Sequence, residues 1–377
     1  MSVEGDRETV VRLLAPYPDL STLGADSAVR LQLEVGGGLR CALSTLAEIG
    51  PDGIQLDQTD SILIEGRIGR LLEGIEQLDP ERPGWASARA LGDALGHLRR
   101  PAPPLRLGKG VWEFGKRTYL LGVVNVTPDS FSGDGLGSDP EAALTRARQL
   151  IDGGADALDI GGESTRPGHS LISAEEELSR VLPALRLIAT ELPVPIFVDT
   201  SKAEVARAAL AAGAAGVNDV WGLRRDPDMA RVVAEAGVPV ICMHNQIGTE
   251  YQDLLGEILA ELRESLSVAD RSGIAPDQVV LDPGIGFGKL PAQNYEVLRR
   301  LVELRLLGRP ILVGTSRKSL IGWLLDQRPV DGRLFGTAAT VAWAINSGAD
   351  LVRVHDVAEM RDVARITDEL ARRTSDP

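Results

Sequence analysis

The sequence predicts an α/β chain, a (β/α)8 TIM barrel preceded by a small α+β N-terminal domain, on three observations. From Thr118 onward a short apolar strand, a polar loop and a longer amphipathic helix recur to the end of the chain. Eight such units fit in roughly 260 residues, the size and order of a closed barrel, with a doubly wound open sheet as the weaker alternative. Most of the strands also stop at a hydrogen-bonding side chain: Asn125, Asp159, Asp199, Asn218, Asp282 and His355, with Met243 followed by His244. Such groups are costly to bury unpaired, so their shared position is best explained by one common mouth.

The strands read as Tyr119 to Asn125, Ala157 to Gly161, Pro195 to Asp199, Gly216 to Asn218, Pro239 to Met243, Val279 to Asp282, Ile311 to Thr315 and Leu351 to His355. Helices are expected at Pro140 to Asp152, Ala174 to Thr190, Lys202 to Ala212, Pro227 to Ala236, Leu254 to Ser272, Asn294 to Leu304, Phe335 to Ser347 and Ala358 to Arg373. Ahead of them, the proline-rich run from Arg99 to Gly110 reads as an extended linker. It divides the chain into a domain over 1–105 and a barrel over 106–377. In the first, strand patterns at Arg30 to Val35, Ile54 to Leu56 and Ser61 to Glu65 alternate with helical patterns at Leu39 to Ile49, Arg67 to Leu78 and Ala86 to Leu98. Its glycines match no phosphate-binding fingerprint, and no function is legible there.

A formal charge of -14 over 377 residues argues against a sequence-independent nucleic-acid binder, whose affinity comes from Lys and Arg on phosphates. An anionic substrate must therefore be met locally. Cys41 and Cys242 are far apart, without neighbours at metal-ligand spacing, which disfavours a disulfide framework or a zinc site. No apolar run reaches membrane-spanning length, and MSVEGDRETV lacks a signal-peptide core, so a cytoplasmic protein without a membrane partner is expected.

At the mouth, Asp199, Asn218, Asp282 and Lys318 offer acceptors and donors suited to a flat nitrogen heterocycle, since a carboxylate takes two parallel N–H bonds. Helix capping competes as an explanation, most of all for Asp199 before Thr200 and Ser201. Basic groups stand where barrels bind phosphate: Arg166 in GGESTRPG, Arg317 and Lys318 in GTSRKS, and Arg353. Arg353 and His355 lie two apart on one strand and share a face, so they can clamp one ligand. The glycines of DPGIGFGK miss the spacing of nucleotide loops; they let the backbone turn so that Phe287 closes over an aromatic ligand.

Taken together, NVTPDSFSGDG (125–135), DIGGESTRPG (159–168), VDTSK (198–202), VNDV (217–220), LDPGIGFGK (281–289), GTSRKS (314–319) and RVHDV (353–357) resemble the dihydropteroate synthases over about residues 117 to 370. The resemblance implies condensation of (7,8-dihydropterin-6-yl)methyl diphosphate with 4-aminobenzoate to 7,8-dihydropteroate and diphosphate. It implies that Asp199, Asn218, Met243, Asp282 and Lys318 hold the pterin ring and that Arg353 and His355 bind the diphosphate. It further implies that Thr165, Arg166, Pro167, Phe287 and Ser319 surround the aminobenzoate and that Asn125 helps hold Mg2+. Catalysis would rest on Lys318, Arg353, His355 and Asp199. A homodimer and inhibition by sulfonamides are expected on the same ground. The chain departs from the common pattern at MHNQIGTEYQDL (243–254) and at Thr315, and in its N-terminal domain. Two rivals share the ring pocket. A methyltetrahydrofolate corrinoid-type methyltransferase handles no diphosphate, and a noncatalytic pterin-binding protein would have lost a cation at the mouth.

Overall fold

The computed structural model describes residues 10–14, 25–35, 39–56, 61–81, 83–108, 110–127, 139–163 and 171–372. The chain divides into two compact units, one running to Pro101 and including Arg300–Gly308, the other formed by Ala102–Arg299 and the chain from Arg309 onward.

The N-terminal unit is an antiparallel sheet of β1 (Val10–Leu14), β2 (Ala28–Glu34), β3 (Gly53–Leu56) and β4 (Ile62–Arg67) in the order β1-β2-β4-β3, with helices α1 (Leu39–Glu48), α2 (Ile68–Glu76) and α3 (Trp85–Arg99). Alternation explains the pairing: Val11 and Leu13 of β1, Leu31 and Leu33 of β2 and Ile62 and Ile64 of β4 are buried with the apolar faces of the helices. β1 is absent from the sequence reading, because five residues at a sheet edge give too short a pattern. A second difference lies between barrel strands six and seven. The helix expected over Asn294 to Leu304 ends at Arg299, and Leu301–Leu307 forms 3-10 turns that belong to the N-terminal unit. Val302 and Leu306 enter its core, and the Leu306 carbonyl lies 3.1 Å from His97 Nδ1.

The second unit begins with a hairpin, β5 (Leu105–Leu107) and β6 (Gly110–Trp112). Half of the expected linker is thus folded, because Leu105 and Leu107 alternate with Arg106 and are buried. Eight parallel strands follow: β7 (Tyr119–Asn125), β8 (Ala157–Gly161), β9 (Ile196–Asp199), β10 (Gly216–Asp219), β11 (Val240–Met243), β12 (Val279–Asp282), β13 (Leu312–Val313) and β14 (Leu351–Val354). β7 pairs with β14, and a parallel bridge from Leu281 to Ile311 joins β12 to the chain entering β13, so the sheet closes on itself. Between the strands run α4 (Pro140–Gly153), α5 (Ala174–Glu191), α6 (Ala203–Ala211), α7 (Met229–Ala236), α8 (Leu254–Arg271), α9 (Pro291–Arg299), α10 (Ser319–Leu324) and α11 (Leu334–Asn346), with α12 (Val357–Ala371) last. Several starts are capped as their sequences dictate: Asp139, Ser173 and Asp253 accept backbone N–H groups of α4, α5 and α8 at 3.0, 3.1 and 3.2 Å.

The two-residue period of the strands stacks the barrel interior in layers. Leu121, Ala157, Phe197, Ile241, Val280, Leu312 and Leu351 form an apolar layer, sealed by Leu105, Leu107 and Trp112 from the hairpin. Gly216 has no side chain for a packing reason, since a Cβ there would sit 2.5 Å from the Phe197 ring. Two residues further along six of the strands come Asp159, Asp199, Asn218, Met243, Asp282 and Arg353.

Candidate active site

This second layer holds a network of buried charges. Arg353 donates from Nε to Asp159 Oδ2 at 2.5 Å and from a terminal nitrogen to Asp199 Oδ2 at 2.9 Å. The Asn218 amide donates to Asp159 at 3.2 Å. Among the described residues, neither the buried Asp199 Oδ1 nor the other terminal nitrogen of Arg353 has a hydrogen-bond partner. Burial, followed by the neighbouring Asp159, pushes the Asp199 carboxyl up to about 8 against the opposing pull of Arg353. Burial works against the Arg353 charge, but Asp159 and Asp199 outweigh it and raise its pKa. The floor of the mouth is therefore a carboxylate pair held by one cation, with an acceptor and a donor left over for a ligand.

The opposite wall comes from β12 and the turn after it. Asp282 accepts the Gly284 N–H through Oδ1 at 2.7 Å, leaving Oδ2 for a ligand. Burial raises this carboxyl, with Lys318 and the Gly284 bond pulling the other way. Lys318, just before α10, donates to the Ile285 carbonyl and stands 4.6 Å from the centre of the Phe287 ring. Burial lowers its ammonium to about 8, although Asp282 favours the charge. Positive φ values at Gly284, Gly286 and Gly288 let the turn fold tightly enough for these contacts. A Cβ on Gly284 would lie only 1.9 Å from the His244 carbonyl oxygen.

The sequence-derived residues fall as follows. Asp199, Asn218, Met243, Asp282 and Arg353 share the strand-end layer, Lys318 stands close to Asp282, Arg353 and Asp199 from the start of α10, and Phe287 is half-buried beside it. His355 is buried after β14, its Nδ1 3.0 Å from Ser316 Oγ, and Ser319 is exposed at the start of α10. Thr165, Arg166 and Pro167 lie outside the described residues. Glu163, just before them, accepts the Ile172 N–H at 2.8 Å, and Lys202 donates to Glu163 and Glu177 at 2.8 and 2.5 Å. Arg317 pairs with the Asp356 carboxylate, with Nε donating at 3.0 Å, from a backbone with positive φ. The hub of the network is Asp159, to which the sequence reading gave no role beyond its place at a strand end. A further cluster, Lys289 with His244, was not foreseen, since 45 residues separate the two.

Asn125 ends β7 half-buried, and its side-chain amide makes no hydrogen bond to any described residue. That suits Mg2+, which keeps several waters, takes oxygens from phosphates and needs only one or two from the protein. Among the described residues no group of three His, Cys, Asp or Glu is gathered into a protein-only metal cage. A separate cavity of about 1000 Å3 lies at the other end of the strands, lined by Arg117, Asp368 and Arg372. Two of its cations are paired, Arg117 with Asp156 at 2.8 Å and Arg372 with Asp368 at 2.7 Å.

A closed parallel barrel with carboxylates, an amide, a lysine and an arginine converging at its strand ends defines a pterin-binding enzyme, and residues 121–355 match the pterin-binding enzyme family. The chain is 46% identical over 270 residues to the dihydropteroate synthase of Clostridium beijerinckii, covering 71% of this chain and all of that one. The solved Clostridium difficile dihydropteroate synthase, crystallised in the presence of pteroic acid, is 50% identical, with a TM-score of 0.67 over 70% of this chain and 100% of that one. The Xanthomonas albilineans dihydropteroate synthase with 4-aminobenzoic acid is 41% identical, with a TM-score of 0.68 over 71% and 98% of the two chains. This chain belongs to the dihydropteroate synthases, a family of transferases, and the methyltransferase reading gives way.

Proposed function

We propose that the chain joins (7,8-dihydropterin-6-yl)methyl diphosphate to 4-aminobenzoate. The observation that carries this reading is the buried, unpartnered Asp199 Oδ1 facing a layer that also holds Asn218, Asp282 and Lys318. An aminopyrimidinone ring presents the N–H donors that Asp199 and Asp282 lack, and carbonyl and ring nitrogen acceptors for Asn218 and Lys318. Met243 lines the same layer with an apolar, polarisable side chain. Arg353 reaches the diphosphate through its uncommitted nitrogen, next to His355, and together they favour the charge on the departing oxygens. Asn125 would hold Mg2+; when bound, it supplies positive charge to the diphosphate. The C–O bond to the diphosphate breaks with its electron pair leaving on oxygen. The C–N bond to the arylamine forms, and the amine nitrogen releases a proton. Phe287, Ser319, Thr165, Arg166 and Pro167 enclose the arylamine and keep water from the electrophilic methylene. Sulfonamides, as shape mimics of 4-aminobenzoate, compete for the same place.

A homodimer is supported by apolar side chains exposed on or beside α10 and α11, among them Trp323, Leu324, Phe335 and Trp343. A cytoplasmic location is supported by two free cysteines; no helix among the described residues is long and apolar enough to cross a membrane. The test is turnover by the purified chain with both substrates and Mg2+, beside Lys318→Ala. Dihydropteroate formed only when 4-aminobenzoate is present, and lost in the variant, supports the assignment. Pterin binding without turnover returns the chain to a noncatalytic role.

A further inference from the structure

Lys289 lies just past the turn that carries Phe287, 8% exposed. Its Nζ donates to the Gly284 and Phe287 carbonyls, both at 3.1 Å, and approaches His244 Nδ1 to 2.9 Å. One ammonium thus ties both ends of a four-residue turn to His244, the residue that follows β11. The backbone is gripped elsewhere as well: Asn294 Oδ1 accepts the Gly286 N–H at 2.5 Å, and the Tyr251 hydroxyl donates to the Gly288 carbonyl at 2.9 Å. Lys318 takes the Ile285 carbonyl from the mouth side. Lys318 also faces the mouth, whereas the three partners of Lys289 all lie in the turn and at His244.

We propose that Lys289 is a positioning residue for the second substrate: it fixes the Gly284–Phe287 turn, and so the Phe287 ring, for the arylamine. The inference rests on the reaction proposed above. The neighbouring groups suit it. For Nδ1 to accept from an ammonium, His244 must be neutral with its proton on Nε2, which lies 3.4 Å from Glu261 Oε2. Burial, then Lys289 and Arg224, hold His244 far below the ordinary imidazole range. Glu261 in turn pairs with Arg224 at 2.8 Å, and Arg224 donates to the Asn245 carbonyl at 3.2 Å. The loops after β10, β11 and β12 are thereby joined, through α8, by buried and half-buried polar groups. Burial pulls the Lys289 ammonium down to about 7, while Asp282 and Glu261 support its charge and Lys318 opposes it.

The experiment compares wild type with Lys289→Met, which keeps the length and removes the donors, in the native and Phe287→Leu backgrounds. Both KM values are measured, and amide exchange is followed without substrates. The expected result is a KM for 4-aminobenzoate raised by about tenfold, with that for the pterin diphosphate within about twofold; in the Phe287→Leu background the first effect shrinks to less than about twofold, as coupled residues require. Exchange over residues 283–290 rises while the rest of the barrel is unchanged. Equal effects in both backgrounds, or both KM values rising together, overturn the proposal, as does unchanged exchange in the turn. Faster exchange in a chain whose wild type shows no turnover sinks the reaction and keeps the loop-holding. Should Lys289→Met not fold, Lys289→Gln is judged by the same criteria.

Discussion

Removal of the guanidinium of Arg353 tests the electrostatics of the floor most directly, and Arg353→Met is the conservative way to do it. The wild-type layer carries two carboxylates against this cation, and burial together with the neighbouring Asp159 raises the Asp199 carboxyl to about 8. Without Arg353, the two buried carboxyl groups it holds must either leave a charge unpaired or remain neutral. Holding a buried aspartic acid neutral costs about 1.4 kcal/mol for each pH unit above its value in an unfolded chain, near 3.9, hence about 4 kcal/mol at pH 7 and about 1.5 kcal/mol at pH 5. The sign follows from linkage: a carboxyl raised in the folded state loses stability as pH climbs above its unfolded value and regains it on acidification. The figure at pH 7 agrees with the roughly 3–5 kcal/mol seen when one partner of a buried ion pair is removed. Urea unfolding of both proteins at pH 7 and pH 5 reads the difference. A loss below about 1 kcal/mol at pH 7, or one that does not shrink toward pH 5, would refute the reasoning.

Three further outcomes are expected. Because burial lowers Lys318 to about 8, kcat/KM falls as pH rises through that value; Lys318→Arg, whose guanidinium does not titrate there, moves the alkaline limb upward, and a limb that stays put assigns it to another group. Gly216→Ala drives a Cβ to within 2.5 Å of the Phe197 ring and destabilises the barrel by about 1–3 kcal/mol, while Phe197→Leu in the same chain recovers part of the loss in a thermal melt. Chelation of Mg2+ abolishes turnover and its return restores it, whereas Asn125→Ala raises the Mg2+ concentration needed for half-maximal rate; an unchanged requirement removes Asn125 from the metal site.

Strands were legible in this sequence because buried parallel strands are short apolar runs, and their polar last residues point to a single rim. The layer of Asp199, Asn218 and Asp282 follows from that pattern without knowledge of any partner. The partners did not follow. That Arg353 faces inward is a matter of period two; that it spans Asp159 and Asp199 depends on the closure that brings β14, β8 and β9 around one axis. Lys289 and His244 are adjacent only because β11 and β12 pair in register, Met243 opposite Asp282. Leu301 to Leu304, the start of the 3-10 segment over Leu301–Leu307, falls within the helix expected from Asn294, because its leucines suit either state; burial of Val302 and Leu306 in the other unit decides it.

Two registers of the same strands divide the work of the barrel. One side-chain layer, from Leu121 to Leu351, is wholly apolar and is closed from below by the β5–β6 hairpin. The next, a single dipeptide step along, carries Asp159, Asp199, Asn218, Asp282 and Arg353. A polar layer laid on a sealed apolar one is cut off from water beneath, so its charges act on each other and on whatever enters from above, with little screening. That is why Asp199 and Lys318 both stand near 8, shifted in opposite directions from their ordinary values: each is held where a ligand's own donors and charges can tip its protonation. A substitution in the lower layer that lets water reach the floor, such as Phe197→Ala, is therefore expected to weaken pterin binding without touching the ligand. Isothermal titration with pterin diphosphate checks it: unchanged affinity in a folded Phe197→Ala chain means that the floor's dryness does not tune the site.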